Sequence, residues 1–170
     1  MRLYTRRGDG GETDLLGGRV GKDHPRVALC GDLDELNAVV GLLGAHLEDA
    51  ALVSSLRQVQ ADLLTLGAEV AALPAARPPL RLDDSRVRTL EEETDRFVKE
   101  APPPRGFILP AGSPPACLAH LARTVCRRAE RAAVRLNAVE TVRPVVLAYL
   151  NRLSDWFFAL ALVLNRRAGR

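Results

Sequence analysis

After Pro144 the chain is apolar nearly all the way round a helix, from Val145 through Leu150, Trp156 and Phe157 to Leu164. A helix without a polar face must be covered on every side, so this segment belongs in the middle of a bundle or an assembly. Four further segments carry a helical period and can cover it. Residues 32–47 align Leu36, Val39, Val40 and Leu43, and residues 50–73 repeat Leu56, Val59, Leu63, Leu66 and Val70. Pro74, Pro78 and Pro79 break the chain there, because proline removes a backbone donor and collides with the preceding turn. Residues 83–101 are more charged with few apolar positions, which predicts a helix at the bundle's edge, stopped by Pro102, Pro103 and Pro104. A short apolar link, Phe107-Ile108-Leu109-Pro110, leads to Ser113-Pro114, an N-cap followed by proline at the first helical position. That opens a fourth helix to about residue 137, and Pro144 opens the fifth, to about 167. No segment alternates convincingly and no internal repeat is present. The expectation is an all-α, five-helix bundle, one domain over residues 1–170 with a glycine-rich loop at 1–31 and the helical bundle at 32–167.

Composition narrows the function classes. With 47% apolar and 26% charged residues the chain has the balance of a globular domain, and at 4% aromatics its core must be built from Leu, Ala and Val. The net charge of +3 is mild and its basic residues are dispersed, which argues against a nucleic-acid partner. Cys30, Cys117 and Cys126 are odd in number, and neither they nor His24, His46 and His120 fall at metal-ligand spacing. Buried reduced thiols and surface imidazoles are expected. The amino terminus lacks the apolar stretch of a signal peptide, and Asn151, Arg152, Ser154 and Asp155 interrupt the carboxyl-terminal apolar run, so the reading is cytoplasmic with no membrane partner.

Three features can carry chemistry. At about 100° per residue, Leu118, Leu121, Val125, Ala129, Ala132 and Leu136 share one face of the fourth helix, while Arg123, Arg127 and Glu130 fall opposite. Two guanidiniums on one stripe can grip a polyphosphate through forked, charge-assisted hydrogen bonds. Equally, the stripe can be a solvated face with an Arg127–Glu130 ion pair. The segment from Tyr4 through Thr5, Arg6, Arg7, Gly8, Asp9, Gly10 and Gly11 to Thr13 concentrates small residues, hydroxyls and charge. Its glycines allow backbone N–H groups to turn inward as an anion-binding nest, and a flexible terminal arm has the same composition. It is neither a Walker loop nor a Rossmann turn, for it lacks the Gly-Lys-Ser/Thr ending and any βαβ setting. On the fifth helix Asn151, Ser154 and Asp155 make a polar spot in apolar surroundings, which either bonds a neighbouring helix or lines a site.

Taken together, these motifs resemble the PduO-type ATP:cob(I)alamin adenosyltransferases. The resemblance runs from Tyr4 to about Leu164. It rests on Thr5-x-x-Gly8-Asp9-x-Gly11-x-Thr13, Leu15-Leu16-Gly17-Gly18, Lys22-Asp23-x-Pro25-Arg26 and Gly31-Asp32-Leu33-Asp34-Glu35-Leu36-Asn37, together with the Phe107 link. Ala122-Arg123-x-x-Cys126-Arg127-Arg128-Ala129-Glu130-Arg131 and Tyr149-x-Asn151-Arg152-x-Ser154-Asp155 complete it. Arg6 stands where the family often has Lys, Arg7 and Gly10 differ from the common Thr and Lys, and Ala111 replaces a frequent Gly.

The resemblance implies a homotrimer with active sites between adjacent subunits. It further implies transfer of the 5′-deoxyadenosyl group of ATP to the cobalt of cob(I)alamin, with Mg²⁺ carried mainly on the phosphates. Thr5, Arg6, Gly8, Asp9, Gly11, Thr13 and Lys22 become nucleotide contacts, met on the helices by Arg127, Glu130 and Asn151. Arg123 and Asp34 become an intersubunit ion pair beside the corrinoid. Phe107, which its apolar link alone would assign to the core, becomes the aromatic that displaces the lower axial ligand. A flavin-dependent reductase and a cobalamin-dependent acceptor enzyme are the implied partners. The rival reading is a non-catalytic nucleotide-binding bundle serving as an interaction or regulatory module.

Overall fold

The computed structural model describes residues 4–170, so the first three residues of the expected 1–31 loop lie outside the described residues. The described residues form β1 (Glu12–Leu15), β2 (Gly18–Gly21), α1 (Pro25–Gly44), α2 (Ala50–Val70), α3 (Ser85–Glu100), α4 (Pro114–Asn137) and α5 (Pro144–Arg167). Neighbouring helices pack in the order α2, α1, α4, α5, α3. The five-helix expectation holds, and the charged α3 does lie at an edge, burying only Leu90 and Phe97.

The apolar α5 is held from several sides. The Tyr149 hydroxyl donates to Asp62 of α2 at 2.8 Å, Trp156 Nε1 donates to Glu93 of α3 at 2.9 Å, and Cys126 Sγ of α4 donates to the Leu150 carbonyl at 3.2 Å. Tyr149, Trp156 and Phe157 are fully buried, and each Leu or Phe so buried contributes about 1.5–3 kcal/mol. Asp62, 4% exposed, does not lack partners for its burial: Arg86 Nε and Gln58 Nε2 also donate to it, each at 3.0 Å. Burial first, and the Asp62 charge second, push the Tyr149 hydroxyl well above its ordinary pKa. By length and composition alone α5 could cross a membrane, so its polar residues do not exclude a span as the sequence reading expected. The packing of α3 and α4 against it, with the Tyr149 bond to Asp62 of α2, is what makes it a core helix.

Local signals account for most helix ends. Asp49 caps α2 by accepting from the backbone N–H of Ala51 and Leu52, and Pro144 starts α5 at its first position. Several expectations need correction. Helix α1 begins at Pro25, not at residue 32, because His24 acts as the cap: its Nδ1 accepts from Arg26 N at 3.2 Å. The stretch read as strand-free holds a hairpin pairing Thr13 with Val20 and Asp14 with Arg19. Gly17 turns it at φ +99°, and a Cβ there would lie 2.8 Å from Ala76 Cβ. On α4 the buried face is rotated toward Ala119, Ala122, Cys126 and Ala133, which leaves Leu121 exposed. Cys117 is exposed and His120 is 3% exposed, reversing their expected placements.

Candidate functional site

The outer stripe of α4 frames an open cleft of about 450 Å³ lined by Arg127, Glu130, Arg131, Val134, Arg135 and Asn151. Glu130 does not pair with Arg127. Its Oε1 accepts from Asn151 Nδ2 at 3.0 Å, and Asn151 Oδ1 in turn accepts from Arg152 Nη1 at 2.7 Å. These bonds fix a carboxylate and an amide at the rim and leave the exposed Arg127 guanidinium without an ion-pair partner among the described residues. The polar spot on α5 thus divides. Asn151 faces the cleft, the Ser154 hydroxyl donates to its own helix at the Asn151 carbonyl (2.9 Å), and Asp155 is exposed.

The glycine-rich segment is ordered as two successive turns feeding the β1–β2 hairpin. Asp9 N donates to Arg6 O at 3.4 Å, Gly11 N to Gly8 O at 3.2 Å, and Lys22 N closes the hairpin base on Gly11 O at 2.8 Å. Arg6 takes φ +63°, an uncommon choice for a residue with a side chain, and its guanidinium lies 5.5 Å from the Tyr4 ring centroid. The Lys22 ammonium leans over the Gly8 turn, where a Cβ would come within 3.2 Å of Nζ. Arg19 braces the hairpin through Glu12 at 2.8 Å, Asp14 at 3.1 Å and the Arg7 carbonyl. Thr5, Gly8, Asp9, Gly11, Thr13 and Lys22 are therefore parts of one small unit.

That unit is bolted to the far ends of α2 and α4. Leu16 N donates to Ala71 O at 3.0 Å, and Leu73 N returns a bond to Leu16 O at 2.9 Å. Below the hairpin Arg26, 5% exposed, donates through Nε to Glu140 at 2.6 Å and through Nη1 to the Val70 carbonyl at 2.9 Å. His24 Nε2 stands 3.3 Å from the same Glu140. Among the described residues no hydrogen bond or ion pair links residues 5–22 to Arg127, Glu130 or Asn151. The two groups expected at the nucleotide stay apart within one chain.

The remaining sequence-derived residues are also unjoined. Asp34 is exposed on α1, beside an apolar groove of about 390 Å³ between α1 and α2. Arg123 is half-buried, its Nε buried without a partner among the described residues, and it forms no ion pair with Asp34 in the chain. Phe107 is fully exposed and Leu109 is 84% exposed, so the core assignment that the apolar link suggested is wrong. Arg128 was missed. It crosses from α4 to α1, donating to Asp32 at 2.9 Å and to Glu35. The i, i+3 carboxylate pair in the Asp32–Glu35 motif was the available signal.

A family model described as cobalamin adenosyltransferase matches residues 3–164. The chain is 44% identical over 173 residues to the corrinoid adenosyltransferase of Bacillus subtilis, spanning 99% of this chain and 89% of that protein. It is 44% identical over 170 residues to the cobalamin adenosyltransferase of Cupriavidus metallidurans, spanning 99% and 90%. In three dimensions it matches, with a TM-score of 0.92 and 34% identity, a phenylalanine-to-alanine variant of the PduO-type ATP:corrinoid adenosyltransferase from Lactobacillus reuteri complexed with cobalamin and ATP. That match spans 99% of this chain and 96% of the other.

Proposed function

Because the chain belongs to the cobalamin adenosyltransferase family, we propose that it transfers the 5′-deoxyadenosyl group of ATP to the cobalt of cob(I)alamin. The cobalt electron pair attacks C5′, a Co–C bond forms, and the C5′–O bond breaks with its electrons leaving on triphosphate. The nucleophile arrives with the substrate. The protein's part is to align C5′ with cobalt, exclude water and balance charge on the departing triphosphate.

One observation carries the assignment of roles: Arg127 projects an unengaged guanidinium into a cleft it shares with Arg131 and Arg135, where the one carboxylate, Glu130, is already held by Asn151. A fork of donors with no protein partner is suited to phosphate oxygens. Lys22 over the Gly8 turn offers a second positive charge, and the turns around Gly8 and Gly11 offer backbone donors. Magnesium, when bound, neutralises charge on the triphosphate. Among the described residues there is no cluster of three or more His, Cys, Asp or Glu to cage a cation, and Glu130 is the one carboxylate lining the cleft. This donor set fits a magnesium carried by phosphates.

The complete site belongs between two copies of the chain in a homotrimer, with the loop of one subunit facing the α4 stripe of the next. The separation of the two groups within a chain supports that reading, as does Arg123, half-buried and unpaired, which Asp34 of a neighbouring copy would meet. Phe107, exposed on its link, takes the place of the corrinoid's lower ligand. We place the reaction in the cytoplasm, fed by a flavin-dependent reductase and drained by a cobalamin-dependent enzyme. Mixing the protein with ATP and chemically reduced cobalamin tests the reading. The corrinoid spectrum should change to that of the alkylated cofactor as triphosphate appears in equal amount. If neither happens, the chain is a non-catalytic nucleotide-binding bundle.

A further inference from the structure

The link bearing Phe107 is fastened at few points. From residue 102 to 110 no side chain or backbone group donates or accepts a hydrogen bond among the described residues, apart from the Leu109 carbonyl, which takes the N–H of Ala111 at 2.8 Å. The link is gripped only where it enters α4, and the grip comes from the last turn of α5. Asn165 Nδ2 donates to the Ala111 carbonyl at 2.9 Å, while Asn165 Oδ1 accepts from Ser113 N at 2.9 Å. The carboxamide thus spans Gly112, reading one group on each side of it. Gly112 takes φ +124°, and any Cβ there would fall on the carboxamide itself. The Ser113 hydroxyl, expected to cap α4, faces Asn165 Oδ1 at 3.5 Å instead. Asn165 thus holds the residue that begins α4, not the first turn of the helix.

We propose that Asn165 is a positioning residue for the adenosyl transfer: its two-sided grip on Ala111 and Ser113 fixes where the link leaves α4, and so where Phe107 stands against the corrinoid. The proposal rests on the function proposed above. A side chain on a rigid helix controls an exposed aromatic four residues before the gripped carbonyl, and misplacement by about 1 Å is enough to disable a catalytic group. Asn165 touches neither substrate. It acts through Phe107.

Two variants test this. Asn165→Ala removes both bonds. Asn165→Asp keeps the acceptor for Ser113 N and sets a carboxylate against the Ala111 carbonyl, so the hold on Ser113 survives while the link is released. Wild-type protein must first form adenosylcobalamin from ATP and cob(I)alamin; if it does not, the functional reading falls and Asn165 is not at issue. Given an active wild type, both variants should bind ATP with unchanged affinity. By electron paramagnetic resonance, each should show a fraction of four-coordinate cob(II)alamin lowered about tenfold. Pre-reduced cob(I)alamin should restore part of the turnover. A wild-type four-coordinate signal in Asn165→Asp overturns the proposal. So does failure of both variants to fold, or equal loss of ATP binding and signal, since either makes Asn165 a determinant of stability alone.

Discussion

Arg127 sits on a helix face opposite the core, so its removal tests chemistry with little cost to the fold. Arg127→Ala should lower turnover at least about a hundredfold, the usual loss when a charge partner of the transition state is deleted. Its thermal midpoint should match the wild type. Wild-type turnover in the corrinoid assay would take Arg127 out of the mechanism. Phe107 differs from the core residue its flanks suggested. A buried phenylalanine loses about 3–5 kcal/mol on truncation to alanine, whereas the exposed Phe107 should lose no more than about 0.5 kcal/mol. Urea unfolding of Phe107→Ala separates these values, and electron paramagnetic resonance should show the four-coordinate cob(II)alamin signal lost. His120 carries a pH dependence. Both its ring nitrogens are buried without partners among the described residues, it packs 6.0 Å from the Phe158 ring, and burial, then the Arg123 charge, hold its pKa below the ordinary 6.5. Below that value the unfolded chain takes up a proton that the folded chain refuses, so stability falls as the pH drops. Melting curves between about pH 7 and 5 should fall less steeply for His120→Gln than for wild type; equal slopes would assign the dependence to other groups.

At the scale of elements, proline was the legible mark. Pro114 and Pro144 placed two helix starts, while the start of α2 followed from its apolar period alone. The start of α1 was hidden because its cap is an imidazole nitrogen, and because Gly31 interrupts a run that Leu29, Leu33 and Leu36 nevertheless continue into the core. The hairpin was hidden because four-residue strands lying on the surface have no apolar face to alternate. In the site, the stripe of Arg127 and Glu130 followed from helical spacing alone, but the roles of adjacent arginines did not. Arg127, Arg128 and Arg131 are equivalent in sequence, and only the carboxylates of α1 across from Arg128 distinguish it. Asn165 gave no signal, since its partners are backbone groups 52 and 54 residues away. The root of the hairpin invites a further test. Glu140→Ala would leave Arg26 buried with only the Val70 carbonyl, at a cost of about 3 kcal/mol by urea unfolding. A change under about 1 kcal/mol would mean that water or His24 replaces the carboxylate.

For the whole molecule, the consequence lies in how the two groups proposed to bind the nucleotide are shared out. One chain holds the Lys22 turn and the Arg127 cleft without joining them, and in a homotrimer each site would draw one group from each of two copies. Two different defective genes can then rescue one another. A Lys22→Ala chain still has a sound cleft, and an Arg127→Ala chain still has a sound loop, so an interface that combines those two sound parts is intact in every residue. When equal amounts of the two inactive proteins are unfolded together and reassembled at random, about a quarter of the interfaces should be of that kind. Activity should return to about a quarter of wild type, while each protein reassembled alone stays inactive and sedimentation reports trimers throughout. If the mixture stays dead, loop and cleft serve the same site from the same chain.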